Sequence, residues 1–182
     1  NILSPIHIIF LELIMGPTCS IIFENEPMEK NTMLRKPRPF TNTFFNLKEL
    51  TVSVIQGLAI TAGTLIVYQY SVQQGFDEAH TRTMVFTVLI VANIFLTLVN
   101  RSFYYSIFTT LRYKNNLVLL IIAITIAITG LMLFVPPLTQ FFEFEVINLY
   151  QLMICIGIGF ASVIWYELVK VNTRVKSKRR ER

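Results

Sequence analysis

The sequence predicts an all-α membrane protein: a bundle of five transmembrane helices, the first of them broken near Gly16-Pro17. Composition is the first ground. The chain is 53% hydrophobic and only 15% charged, with a mean hydropathy of +0.56, above that of a typical soluble domain. Charge distribution is the second, because residues 50–72, 83–100, 117–135 and 146–166 contain no Asp, Glu, Lys or Arg. Length is the third. Each run approaches the roughly 20 helical residues that cross a hydrocarbon core of about 30 Å. Only helices or closed barrels satisfy their backbone in lipid, and unbroken apolar runs of this length specify helices.

The first helix is expected over residues 2–23, where Glu12 is the only interruption. Spacing of i, i+3 and i+4 places Ile8, Glu12, Met15, Gly16 and Cys19 on one face. Pro17 has no N–H, which frees the Leu13 carbonyl one turn after Glu12. A carboxylate inside a membrane normally faces a bundle interior or a water-filled path. Freed carbonyls beside it are what a cation site in an unwound helix uses. The plainer reading is a structural kink with Glu12 protonated or capped by a neighbour. The functional reading is preferred because both features fall within one turn.

The second helix, residues 50–72, carries Gly57, Thr61 and Thr64 on one side, a small-residue face for packing. In the third, residues 83–103, Asn93, Thr97 and Asn100 recur at i, i+4 and i+7 as a polar stripe. Asn93 lies deep enough to meet a site near mid-membrane, whereas Thr97 and Asn100 serve equally well as interhelical hydrogen-bonding glue. The fourth helix is expected over 117–135. The fifth, over 146–169, has a second small-residue face in "ICIGIGFAS".

Between these spans, loop 24–49 holds three prolines and mixed charges, which predicts an irregular strap with a short interfacial helix near residues 44–48. Loop 101–116 is aromatic at one end and basic at the other, as suits a membrane interface. Of the 16 basic residues, 15 fall on the side shared by loop 24–49, loop 101–116 and the basic tail 170–182; only Arg82 lies opposite. Cytoplasmic segments carry this excess. The N-terminus is therefore expected outside and the C-terminus inside, at a cell membrane, with the tail against anionic headgroups. The net charge of +5 is a topology signal, and no nucleic-acid partner is expected.

An outside N-terminus directly before a span implies an earlier span, so the chain reads as part of something longer. Cys19 and Cys155 fall within spans and read as small buried hydrophobes. There is no phosphate-cradling Gly loop, no metal-spaced Cys/His cluster and no nucleophile beside a base. His7 and His80 stand alone, and His80, in "QQGFDEAHTR", is expected to be solvated.

The residues "LELIMGP…ENEP…M…KPR", followed in order by "VANIFLTLVNRS", "LFVPPLTQFF" and "ELVKVNTR", resemble the P-type cation-transporting ATPases of the calcium-pump group. The match covers the carboxy-terminal membrane region, helices six to ten, and the opening residues resemble a bacterial subgroup. In that group the sixth helix offers Asn, Thr and Asp to the ions. The matching positions here hold Glu12, Met15 and Gly16, and the eighth-helix glutamate position falls on Asn93. The resemblance therefore implies Glu12 and Asn93 as ion-binding residues, with Met15, Gly16, Pro17 and Thr97 as neighbours. The changed ligand set leaves the metal unknown.

By the same resemblance, this chain is the C-terminal membrane portion of an ATP-driven cation pump, supplying one wall of the transport site and its scaffold. Phosphorylation elsewhere would shift the broken helix and expose the site alternately to each side. The phosphorylation, nucleotide-binding and actuator domains are not in this sequence, so it is not expected to hydrolyse ATP alone. No cofactor is expected in it, while ATP and Mg2+ are expected for the intact pump. Its partners are the transported cation, the lipid bilayer and the N-terminal part of the parent ATPase. The alternative is a non-enzymatic membrane scaffold or accessory subunit.

Overall fold

Ser4 and Pro5 start the first helix for local reasons. Pro5 has its φ set for the first turn and gives up an N–H that would have no partner there. Two positions on, the ring of His7 reaches back so that Nδ1 accepts from the Ser4 N–H at 3.0 Å and from its hydroxyl at 2.7 Å, a histidine version of the capping box. Helix α1 then runs from Pro5 to Glu24. The structure, a computed structural model, describes residues 2–25, 47–101 and 116–180. The expected strap in loop 24–49, the interfacial helix near 44–48 and the loop 101–116 fall largely outside the described residues, as do the basic side chains at the end of the tail.

Helix α2 spans Leu47–Gln73. It closes through a turn at Gly75, whose φ of +74° is the left-handed conformation glycine adopts without Cβ strain. Asp77 then caps α3, Glu78–Asn100, by accepting from the His80 N–H. Helix α4 covers Asn116–Phe134 and stops where Val135 precedes Pro136-Pro137, since the residue before a proline is pushed out of the helical region. Pro136 opens the short helix α5, Pro136–Phe141. The last helix, α6, runs from Leu149 to Arg180, so the backbone of the expected tail continues the final helix.

Five of these helices, all but α5, are long and apolar enough to cross a membrane, and every regular element among the described residues is helical. The expected break in the first helix is corrected: α1 is continuous through Gly16 and Pro17. Proline deletes a single backbone donor, and the bonds on either side persist because lipid offers the backbone no competing partner.

Helix α3 is the hub, packed chiefly against α6 and α2 on one side, with α1 and α4 attached to the bundle on the other. Two glycines permit the close crossings. A Cβ on Gly159 of α6 would lie 2.7 Å from Val91 Cγ1, and one on Gly63 of α2 would lie 3.3 Å from Ile158 and Ser162. Gly57 and Thr61 are exposed instead, so the packing face of α2 is rotated from the one expected. Van der Waals fit is the main attraction available between helices in lipid, which is why small residues gather at these contacts.

Candidate functional site

In α1, His7, Leu11 and Ile22 are buried toward the bundle, while Ile8, Ile9, Glu12, Leu13 and Gly16 are exposed. Glu12 follows buried Leu11 by one residue, and one residue is about 100° of helical rotation. Its carboxylate therefore lies on the outward stripe, with no hydrogen-bond or ion-pair partner among the described residues. Met15 and Cys19 are half-buried on the inward side. The face expected to unite Ile8, Glu12, Met15, Gly16 and Cys19 is thus divided between outside and inside.

Met15 and Cys19 meet Asn93 and Thr97 of α3 and Thr125 of α4 around a cavity of about 20 Å³, closed by isoleucines. Thr97 Oγ1 donates to the Asn93 carbonyl at 2.9 Å and lies 3.1 Å from Cys19 Sγ. The Asn93 amide donates to the Leu89 carbonyl at 2.7 Å, which leaves its Oδ1 without a partner among the described residues. Thr125 donates to the Ile121 carbonyl at 2.9 Å. A cavity of this size holds about one water. Its polar donors and acceptors are neutral, so a cation there requires a carboxylate from beyond the lining. The structure thus brings Met15, Asn93 and Thr97 together, and holds Glu12 and Gly16 apart from them. Cys19 and Thr125 were not anticipated as lining residues; Thr125 and Thr129 at i, i+4 in "ITIAIT" are the signal that could have found Thr125.

Asn100, the third member of the α3 stripe, is used otherwise. It exchanges two amide hydrogen bonds with Gln56 of α2, at 3.0 and 3.3 Å. That is the interhelical glue reading of this residue. At the same end, Lys170 of α6 donates to the Val99 carbonyl and to Glu167 at 2.9 Å, a cation set against the negative C-terminal end of α3.

The opposite end holds most of the ionisable side chains with described partners. Arg82, the outlier of the charge pattern, is buried. Its Nε donates to the Ile2 carbonyl at 2.7 Å, and Nη1 donates to the Glu143 carbonyl at 3.0 Å and carboxylate at 2.7 Å. His7 donates from Nε2 to the Phe142 carbonyl at 2.7 Å, since Nδ1 is already an acceptor, and its ring sits among Phe86, Phe142 and Phe144. Neither role was read from the sequence, although Ser4-Pro5 followed by His7 at the third helical position is a legible capping pattern.

His80 is not solvated as expected. Its side chain is 12% exposed, with Nδ1 3.6 Å from Glu145, and it packs on Phe76 at 4.5 Å. The α2–α3 turn, in which Asp77 caps α3, sets Phe76 against it. Asp77, His80 and Glu145 present ligand atoms within 4.8 Å of one another. A metal-bound imidazole donates its other N–H to an acceptor, whereas His80 Nε2 is buried with no partner among the described residues. The trio therefore lacks the outer partner that a metal-bound imidazole uses. The His80 amide donating to Asp77, then the neighbouring Glu145 carboxyl and the His80 ring, hold the Asp77 carboxyl below its ordinary value.

Comparison with known proteins bears on the whole chain. The family described as cation transporting ATPase, C-terminus, matches residues 1–172. Calcium-transporting ATPase type 2C member 1 of Homo sapiens is 22% identical over 178 residues, covering 98% of this chain and 19% of that protein. Calcium-transporting ATPase 1 of Schizosaccharomyces pombe is 22% identical over 170 residues, 93% of this chain and 19% of its own length. Calcium-transporting ATPase type 2C member 2 of Mus musculus is 24% identical over 184 residues, 99% and 20%. The chain spans about a fifth of the length of these relatives.

Proposed function

Since the chain belongs to the cation transporting ATPase C-terminal family, we propose that it forms one wall of the ion path of an ATP-driven cation pump, with Glu12 and Asn93 as ion ligands. The observation that carries this reading is Glu12 itself. A carboxylate on the lipid-facing side of an apolar span costs several kcal/mol, so the outward stripe of α1 calls for a cover of protein or water. The N-terminal helices of a longer pump, absent from this sequence, would supply that cover and turn Glu12 into an interior group.

On this reading Asn93 Oδ1 offers a neutral oxygen from α3, and Met15 and Thr97 shape the space between. The Leu13 carbonyl, left without an amide by Pro17, lies one residue from Glu12 and adds another oxygen. Hard cations take several oxygens including carboxylate, so Glu12 supplies the charge of a site that the covering helices would complete on the outward side of α1. ATP and Mg2+ act on the intact pump, and the ion itself is drawn from the cations that such pumps carry.

The test is ion-stimulated ATPase activity of the intact parent protein, screened across calcium, magnesium, manganese, sodium, potassium and pH. Glu12→Gln keeps size and hydrogen-bonding capacity but removes the charge. The variant should express and fold normally yet lose ion-stimulated turnover by at least tenfold. Turnover near that of the unsubstituted pump would remove Glu12 from the ion site and leave the fold unchanged.

A further inference from the structure

His7 sits in the core at the start of α1 and is 1% exposed. Its ring is held from two directions. Nδ1 accepts from the Ser4 N–H and hydroxyl, and Nε2 donates to the Phe142 carbonyl at 2.7 Å. The rings of Phe86, Phe142 and Phe144 lie around it, with centroids at 6.1, 6.0 and 5.1 Å. An imidazole turned away from either partner would leave a buried polar group unpaired, which is costly.

The Phe142 carbonyl is itself a fixed point. The Phe142 amide donates to the Leu138 carbonyl at 3.0 Å and the Phe144 amide to the Thr139 carbonyl at 2.8 Å, so the end of α5 shapes the loop locally. Two contacts then tie the loop to α3. The Glu145 amide donates to Thr83 Oγ1 at 2.9 Å, and Arg82 donates to the Glu143 carbonyl and carboxylate. His7 therefore registers α1 against α3 through a loop that α3 already holds. Leu11, one turn on, joins the same cluster of Phe86, Phe142 and Phe144, but apolar burial is non-directional. Hydrogen bonds weaken steeply when misaligned, so the angular setting of α1 at this end comes from His7.

We propose that His7 is a positioning residue for the ion path: its bond to the Phe142 carbonyl sets the rotation of α1, which turns Met15 toward Asn93 and Glu12 outward. At about 100° per residue, Leu11 lies about 40° and Glu12 about 140° round the helix from His7. With His7 and Leu11 buried against the loop, Glu12 faces away from it. A turn of α1 moves Glu12 off the outward stripe and draws Cys19 from Thr97, where Sγ is 3.1 Å from Oγ1. Site residues must be held within about 0.5 Å of their working geometry, so a rotation too small to disturb the bundle still weakens the ion. That Glu12 is the ligand rests on the function proposed above; that His7 sets the rotation does not.

The test reads rotation and ion binding separately in the intact parent pump. Rotation is read from a disulfide between native Cys19 and Thr97→Cys, formed with iodine as oxidant and quantified as the joined peptide pair by mass spectrometry. A rotation of about 40° carries a side chain by roughly 2 Å, and disulfide geometry is too specific to follow it. His7→Leu keeps apolar bulk and loses both hydrogen bonds, so it should lower the bridge yield several-fold. His7→Gln can accept from the Ser4 N–H as in an ordinary capping box and donate to Phe142, and should restore it. Without Thr97→Cys, His7→Leu should raise the ion concentration for half-maximal ATPase activity several-fold, with saturating turnover per phosphorylated pump near native. A purely structural loss would reduce the amount of working pump and leave that concentration alone. Should His7→Leu fail to fold, His7→Asn, whose amide stops short of Phe142, should lower the bridge yield in part. A bridge yield unmoved in these variants, or a His7→Gln no better than His7→Leu, would overturn the positioning role. A lowered bridge yield with unaltered ion affinity would uphold His7 as the setter of α1 rotation and count against Glu12 as the ligand.

Discussion

Asn93 and Asp77 show how much one side chain can do in this bundle. Asn93 already gives its amide to the Leu89 carbonyl, so what it has left for a cation is one neutral oxygen. Asn93→Ala should therefore weaken apparent ion affinity of the intact pump several-fold, by less than loss of the Glu12 charge, because a neutral acceptor holds a cation less strongly than a carboxylate. A concentration series of the activating ion reads this directly, and an effect as large as that of Glu12→Gln would reverse the ranking. Asp77 is a stability residue. Its carboxyl sits below its ordinary value of 3.8, so its ionised form supports the fold above that value, and the support is lost as pH falls through the lower, folded value. Asparagine caps a helix about as well as aspartate. Melting temperature should accordingly fall less between pH 5 and 2 in Asp77→Asn than in the native chain. Parallel curves for the two proteins would show that the cap does not titrate.

Helix contacts in this protein depend on a few close approaches. Gly159→Val would drive side-chain atoms into Val91 and the backbone of Ala92, which a Cβ alone already meets at 2.7 and 3.1 Å. Overpacking of this kind costs about 1–3 kcal/mol, so the solubilised chain should melt several degrees lower. Gly157→Ala, two residues away and facing open space, is the matched control and should change little. Equal losses in both would point to helix backbone effects in place of the α3–α6 contact. In α1, Pro17→Ala restores the missing amide to the Leu13 carbonyl. The expected result is a chain at least as stable as the native one, paired with slower turnover of the intact pump as the helix stiffens and the freed oxygen is lost. Unchanged turnover would dissociate Pro17 from transport.

Taken whole, the molecule is a membrane bundle whose basic residues are expected on one side. The split of basic residues predicts that the C-terminus faces the cytoplasm. A reporter that works only in the cytoplasm, fused after Arg182, should be active, and activity of a reporter that works only outside would overturn the five-span order. The lone basic residue on the opposite side, Arg82, is buried and fully engaged with Glu143, Glu78 and Ile2, so it serves the fold there and leaves the topology signal intact.

The sequence by itself determined the class, the five spans and the family, because each rests on a local or additive property. An apolar run of twenty residues has few ways to satisfy its backbone in lipid, whatever surrounds it. Helix ends were less legible: α3 begins at Glu78, ahead of the charge-free run, because Asp77 caps it and the bundle accepts Arg82. Only the tertiary structure decided which side chains meet. Glu12 and Met15 are three residues apart and share a coarse helical face, yet one lies outward and the other beside Asn93, since the rotation of α1 is fixed by Leu11 in its core and by the His7 bond to Phe142. His7 and Phe142 are 135 residues apart. No periodicity carries a contact over that separation, because it exists only once α1, α3 and the Phe142 loop have packed.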